Sequence, residues 1–256
     1  MCLILFANNV HPKYKLILVA NRDEFYKRPT RPAQWWEDKS DVLAGKDLEG
    51  GGTWMGISKS GRIAALTNYR KLPVNEKYNS TRGKLVTDFL DESISRTDYL
   101  KKLEDSSNDY DGYNLVFGNA DQLTYYSNKG GEESDVEPGI HGLSNALLDT
   151  PWPKVKLGKE ALSTIVNESE DIVPDRLFEI LHNTDLAPDE ELPDTGIGIE
   201  YERVLSAAFI NPISIGSPDY GTRLSTVILI DKENKVHFEE RAFVPESNNL
   251  FKFIVS

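Results

Sequence analysis

The sequence holds a single cysteine, Cys2, among 256 residues. One thiol cannot close an intramolecular disulfide, and with only four histidines, scattered along the chain, it offers no zinc-ligand spacing. No structural metal and no cofactor are expected. Basic residues are also outnumbered, 29 Lys and Arg against 41 Asp and Glu, for a formal charge of −12. A chain this acidic lacks the basic face that phosphate backbones require, so nucleic acid is not an expected partner. Long apolar runs are missing as well. Nothing approaches the roughly 18 residues that a membrane-spanning helix needs, and the apolar start carries no basic leader, so the expected location is the cytoplasm. Two acidic clusters, Gly131-Glu132-Glu133 and Asp189-Glu190-Glu191, read as solvated loops.

What is present begins at the first residues. Cys2 follows Met1 directly, and methionine aminopeptidase removes an initiator methionine ahead of a small side chain. The mature chain is therefore expected to carry a thiol and a free α-amine on one residue. The apolar runs at Leu3–Phe6 and Tyr14–Ala20, with Asn8-Asn9 and His11-Pro12 between them, predict a hairpin that returns Arg22-Asp23 towards Cys2.

Further along, Lys27 to Pro32 is expected to be extended, because proline disfavours helix at the residue before it. Trp35-Trp36 is read as a cap on the core, with a pocket-lining role as the alternative. Gly50-Gly51-Gly52 leads into a strand and lacks the Lys-Ser/Thr of a phosphate loop, so it is read as a tight turn or close backbone approach near a ligand. The stretch Gly50–Ser58 opens the second hairpin, which turns at Lys59-Ser60-Gly61, returns as Arg62–Leu66 and ends at Thr67-Asn68-Tyr69.

Helical spacing predicts helices over Ser80–Glu92, from near Thr97, over Val155–Glu168 and over Asp175–Asn183, the last opened by Pro174. Strands are predicted at Tyr113–Phe117, Leu123–Tyr126, through Val136, at Thr222–Asp231 and at Lys235–Val244. Gly139 to Asn145 carries the chain back across the sheet, and Leu186–Ile199 is read as loop. Hairpins separated by helical pairs indicate an α+β fold, and one domain over residues 1–256 suits the order as an αββα sandwich of two antiparallel sheets with helices outside.

Four segments, Met1-Cys2, Ala20-Asn21-Arg22-Asp23-Glu24-Phe25-Tyr26, Gly51-Gly52-Thr53-Trp54-Met55-Gly56-Ile57 through Ala65-Leu66-Thr67-Asn68-Tyr69, and Tyr220-Gly221-Thr222-Arg223-Leu224-Ser225-Thr226-Val227, resemble the NRDE family, also called the transport and Golgi organization protein 2 family. That family is similar in turn to the N-terminal-nucleophile hydrolases, whose fold is αββα. In their cysteine branch, which includes penicillin V acylase, bile salt hydrolase and acid ceramidase, the N-terminal Cys attacks an amide. An Arg and an Asp lie at the end of the second strand, with two Asn and another Arg downstream. The matching positions are Cys2, Arg22, Asp23, Asn68, Asn145 and Arg223. In those hydrolases the Arg and Asp usually stand three apart, whereas here they are adjacent, which leaves either Asp23 or Glu24 to take the acid's place.

The residue types suit that chemistry. An α-amine titrates near roughly 7.7 to 8.0 and a thiol near roughly 8.5, so the amine can take the thiol's proton. Arg22 would lower the thiol pKa, Asp23 would orient the amine, and the amides of Asn68 and Asn145 would donate to an oxyanion. Structural roles compete. Cys2 could be an inert core residue, Arg22 and Asp23 a brace across the hairpin, and the asparagines turn stabilisers. Arg223, in an apolar strand, is expected to meet a buried acid or a ligand carboxylate. His141 is read as structural.

The resemblance implies a hydrolase that cleaves a non-peptide amide, or a thioester, of a small acylated substrate. The alternative is a non-catalytic carrier of an apolar ligand such as haem or an acyl lipid, since members of the family are implicated in haem trafficking and lipid homeostasis.

Overall fold

Period-two burial sorts the strands into layers. In Cys2–Asn8 (β1), Ile4 and Phe6 enter one buried cluster while Leu3, Leu5 and Ala7 enter another, so both faces of the strand are covered. A computed structural model describes residues 2–70, 80–91, 93–130, 133–212 and 219–255. Met1, Glu92 at the predicted end of the first helix, and Gly131-Glu132 of one acidic cluster lie outside these residues.

After β1 come Tyr14–Phe25 (β2), Thr30–Trp35 (β3), Val42–Asp47 (β4), Met55–Ser58 (β5) and Ile63–Asn68 (β6). Gly83–Asp91 (α1) and Arg96–Asp105 (α2) follow, then Tyr113–Gly118 (β7), Leu123–Ser127 (β8), Ser134–Asp135 (β9) and Gly139–Leu143 (β10). Pro153–Glu168 (α3), Pro174–Leu181 (α4) and Ile199–Val204 (α5) lead to Tyr220–Asp231 (β11), Lys235–Phe243 (β12) and Glu246–Ile254 (β13). The first sheet has the order β10-β1-β2-β11-β12-β13 and the second β3-β4-β5-β6-β7-β8-β9. Among the described residues every strand pairing is antiparallel.

The sheets stack through Phe6, Leu18 and Ile228 of the first and Ile57, Ala65 and Val116 of the second. Leu5, Val19 and Leu229 on the outer face of the first sheet pack on Leu162 of α3 and Phe178 of α4. Ala64, Leu115 and Phe117 on the outer face of the second pack on Phe89 of α1 and Tyr99 of α2. The layers are therefore helices, sheet, sheet, helices, and each large apolar side chain so buried contributes roughly 1.5 to 3 kcal/mol.

The strand Thr30–Trp35 was expected only as an extended segment, and three further elements escaped the sequence reading. The strand β4 is buried over Val42–Gly45, so it shows no alternation. The six-residue α5 starts inside the Pro-, Gly- and acid-rich stretch. The edge strand β13 alternates, but its exposed positions include Leu250 and Ile254, which blur the pattern. The strand expected through Val136 comprises Ser134–Asp135, and Val136 itself packs in the core between the sheets. Trp36 is buried and donates its indole N–H to the Ala44 carbonyl, while Trp35 packs edge-on against Phe253. Both tryptophans serve the core.

A carboxyl is buried with them. Glu240 on β12 is 1% exposed and accepts the Ala33 N–H of β3 at 2.7 Å, which joins the two sheets. Burial raises its pKa to about 7 from an ordinary 4.5, against the opposing effects of the Ala33 N–H and of Arg22. Between those values the folded chain keeps a proton that the unfolded chain has released, so stability falls as pH rises through the window, by roughly 3 kcal/mol in all. The expected result is a lower urea midpoint at pH 8 than at pH 5, with that component removed in Glu240→Gln. Equal pH dependence in the two chains would refute the assignment.

Candidate active site

Antiparallel register places Cys2 opposite Arg22, at the start of β1 and near the end of β2. The main-chain N–H of Asp23 reaches the Cys2 sulfur, so the thiol rests against the strand that carries both charged residues. Side-chain parity separates those residues. Leu18 and Ala20 face the other sheet, and Arg22 continues that series; Ile17 and Val19 face the helices, and Asn21 and Asp23 continue that one. The Asn21 amide anchors the helix-facing series by donating to the Leu181 and Ala208 carbonyls at 2.8 Å each.

The partner strand adjusts to this. Between Thr222 and Leu224 the pairing of β11 with β2 shifts by one residue, and Arg223 occupies the bulge. The shift brings Thr222 opposite Asp23, and its hydroxyl donates to the Asp23 carboxylate at 2.7 Å. Arg223 itself donates to the carbonyls of Phe25, Tyr26 and Arg28, at 3.2, 3.0 and 2.8 Å. The expected acidic partner is thus replaced by main-chain oxygens, because the turn after β2 presents three carbonyls together. Arg223 shapes the wall of the site and does not line it.

An open cleft of about 470 Å³ is lined by Cys2, Arg22, Asp23 and Asn68, together with Trp54, Arg82 and others. The Arg22 guanidinium lies over the Trp54 ring at 4.1 Å, Nη2 stands 3.6 Å from Glu24, and Nη1 is buried without a hydrogen-bond partner among the described residues. Glu24 faces Arg22 and Arg28, whereas the Asp23 carboxyl is buried on the helix side, so the two acids occupy different faces of β2. One wall comes from the glycine run. A Cβ at Gly52 would stand 2.3 Å from the Gly83 carbonyl carbon, and Gly51 has φ of +73°.

Asn145 lies behind the cleft and is fully buried. Its Nδ2 donates to the Asn68 carbonyl at 2.8 Å, and its Oδ1 accepts from Arg70 at 3.3 Å and from the Ser144 hydroxyl at 3.3 Å. The amide expected at an oxyanion is engaged in holding the end of β6. Ser144 also donates to the Cys2 carbonyl at 3.1 Å, so this loop fixes both Asn68 and Cys2. His141 lies away from the cleft, bonded to Asp149 and to the Glu137 carbonyl, as befits a structural residue.

Burial raises the Cys2 thiol above its ordinary pKa, and the Arg22 guanidinium opposes that only in part. Arg22 lowers the thiol, the direction expected from the sequence, but desolvation is the larger effect and the net shift is upward. Burial likewise pushes the Asp23 carboxyl up, against Lys154, the chain's amino terminus, the Thr222 hydroxyl and Arg70.

Sequence reasoning passed over Trp54, Arg82 and Lys154. Trp54 could have been found, since it sits inside the glycine-rich signature. Lys154 also carried a signal, because a lysine in the first turn of a helix with no acid there opposes the helix dipole. Arg82 reads as an ordinary residue ahead of a helix. Among the described residues no cluster of three or more His, Cys, Asp or Glu is arranged to hold a metal ion, and no helix is long and apolar enough to cross a membrane.

A family model described as Transport and Golgi organisation 2 matches residues 1–245. The Transport and Golgi organization protein 2 homolog of Bos taurus is 40% identical over 260 residues, covering 95% of this chain and 94% of that protein. Its Homo sapiens counterpart is 38% identical over 264 residues, with 95% and 94% covered. The Drosophila melanogaster Transport and Golgi organization protein 2 is 33% identical over 268 residues, with 94% and 91% covered. Among solved structures, the Caenorhabditis elegans ortholog of N-acylethanolamine-hydrolyzing acid amidase superposes with a TM-score of 0.53 at 9% identity, covering 89% of this chain and 92% of that one. That likeness is one of fold alone.

Proposed function

The chain belongs to the Transport and Golgi organisation 2 family, and from that footing we propose that it is a cysteine hydrolase of the N-terminal-nucleophile type, cleaving an amide or thioester of a small acylated substrate. The observation that carries this reading is the placement of Cys2, at the very start of β1, in the wall of an open cleft beside Arg22, Asp23 and Asn68. Removal of Met1 converts the Cys2 nitrogen to an amine next to the thiol that it must deprotonate. The amine takes the proton, the thiolate adds to the substrate carbonyl, and the Asn68 amide donates to the oxygen that becomes negative. Collapse expels the amine or thiol leaving group, which the α-ammonium protonates, and water then releases the acyl group from sulfur.

The second reading, carriage of haem or an acyl lipid, gains little from the cleft. Its lining includes Arg22, Arg28, Arg82, Glu24, Asp47 and Asp111 and, among the described residues, no histidine. Such a wall suits a polar group better than an extended apolar one.

Because burial raises the thiol, the amine and not Arg22 is responsible for reactivity. Intact mass of the protein purified from cells is expected to show Met1 absent. Iodoacetamide at pH 7 is expected to alkylate the chain beginning at Cys2 at least tenfold faster than a chain with Met1 retained, as in a Cys2-preserving variant blocked to the aminopeptidase. Complete retention of Met1, or equal rates in the two chains, would exclude the mechanism.

A further inference from the structure

The amide of Asn145 is held in one of its two orientations, and Arg70 helps to impose it. A guanidinium can only donate and a carbonyl can only accept. Arg70 Nη2 donates to Asn145 Oδ1 at 3.3 Å, and the other end of the amide, Nδ2, donates to the Asn68 carbonyl at 2.8 Å. A turned amide would set its oxygen against the Asn68 carbonyl and its NH₂ group against the guanidinium. The Arg70 main-chain N–H completes the clasp by donating to the Asn145 carbonyl at 2.7 Å. Asn68 ends β6 in one sheet and Asn145 follows β10 of the other, so the clasp ties the two sheets together at the cleft.

What holds Arg70 lies further along the chain. Its Nη1 donates to the Glu202 carboxylate of α5 at 2.8 Å, and its guanidinium stands 5.0 Å from the Trp152 ring. Both side chains of this ion pair are withdrawn from solvent, 9% and 3% exposed. Glu202 also accepts from the Thr195 N–H at 3.0 Å and from the Thr195 hydroxyl, so the carboxylate is itself fixed. A buried ion pair gains little stability over apolar side chains of similar volume, so its presence is better explained by what it orients. An arginine suits the place because its planar fork bonds Glu202 through one nitrogen and Asn145 through the other. Neither Arg70 nor Glu202 is among the described residues that line the cleft.

We propose that Arg70 is a positioning residue for the oxyanion donor: anchored by Glu202, it fixes the Asn145 amide, and Asn145 through the Asn68 carbonyl sets residue 68 at the cleft wall. Arg70 touches no reacting atom. Its effect is geometric, because a donor displaced by about 1 Å from the developing oxyanion forfeits much of the stabilisation it gives the transition state. The loop after β10 also carries Ser144, whose hydroxyl donates to the Cys2 carbonyl and lies 3.3 Å from Asn145 Oδ1. Nucleophile and oxyanion donor are thus held from one place. The inference rests on the hydrolase reading for its purpose, but one arm of its test needs no substrate.

The experiment compares the wild type with Arg70→Met and with the double variant Arg70→Met/Glu202→Gln, which removes both charges. Deleting Arg70 alone leaves a buried carboxylate without its cation and lowers stability, most of which the double variant is expected to regain. Acylation of Cys2 by S-phenyl thioacetate, read by intact mass, is expected to slow by roughly 10- to 100-fold in Arg70→Met and to stay slow in the double variant, with the half-saturating concentration unchanged. Recovery of the rate together with stability would mark a merely structural pair and overturn the proposal. Hydrogen exchange of the Asn145 side-chain amide, followed by NMR, reads the same link without substrate. It is expected to be roughly tenfold faster in the double variant while the Val227 main-chain amide of β11 exchanges as in the wild type. Equal Asn145 exchange in the two chains overturns the proposal. Should both variants fail to fold, Arg70→Lys keeps a cation beside Glu202 without the fork, and the same two changes are expected of it. Absence of acylation in the wild type would remove the hydrolase reading and leave the exchange result to decide the role of Arg70.

Discussion

Cys2→Ala is expected to reduce turnover by on the order of 10⁶-fold, to the uncatalysed background, while substrate still binds. The sulfur is the atom that forms the covalent intermediate, and no other cysteine exists to replace it. The surrounding wall of Arg22, Trp54 and Asn68 remains, so the dissociation constant for an unreacted amide should change by less than tenfold. Titration of the variant with substrate, followed by calorimetry, measures binding without turnover. If Cys2→Ala kept even a hundredth of the activity, the nucleophile would lie elsewhere. The carrier reading makes the opposite forecast, with no turnover in either chain and affinity for an apolar ligand unaffected by the substitution.

Asn68→Ala should show the second-largest effect, a loss of roughly 100- to 1,000-fold in kcat with little change in KM. The amide is directed at charge that exists only while the tetrahedral intermediate lasts, so deleting it is felt in the transition state and hardly at all in the ground state. The local structure supports a clean test, because Asn145 holds residue 68 through the main-chain carbonyl and not through its side chain. Alanine at 68 keeps that bond. A rise in KM with unchanged kcat would assign Asn68 to substrate binding and leave the oxyanion without this donor.

Much of the architecture could be read from periodicity. The apolar runs Leu3–Phe6 and Tyr14–Ala20, with a polar turn between them, marked a hairpin, and the register of that hairpin is what brings Cys2 opposite Arg22. The order of hairpins and helical pairs pointed to the four-layer sandwich that the chain adopts. Elements were missed where burial on both faces erased the pattern, as in β4, or where a helix was too short to show one, as in α5. Within the site, sequence spacing identified residue types but not their faces. Arg223 was legible as a buried charge, yet its three carbonyl partners depend on a bulge that no local signal announced. The same bulge sends Thr222 to Asp23. Likewise, Arg22 beside a thiol suggested an acidic cysteine, and only the extent of desolvation at residue 2 reverses the sign. Adjacent Asp23 and Glu24 were ambiguous as letters, but strand parity separates them, with the first buried towards Lys154 and the second among the arginines of the cleft.

Acylation of Cys2 bears most directly on the central claim. The chain beginning at Cys2 would be mixed with a panel of amides and thioesters bearing small acyl groups, quenched in acid within the first turnover, and analysed by intact mass and peptide mapping. A mass increase equal to one acyl group on the Cys2 peptide is expected for at least one panel member, decaying as product forms and absent from Cys2→Ala. An unmodified thiol across the whole panel, together with tight retention of an apolar ligand by Cys2→Ala, would contradict it and establish a carrier in its place.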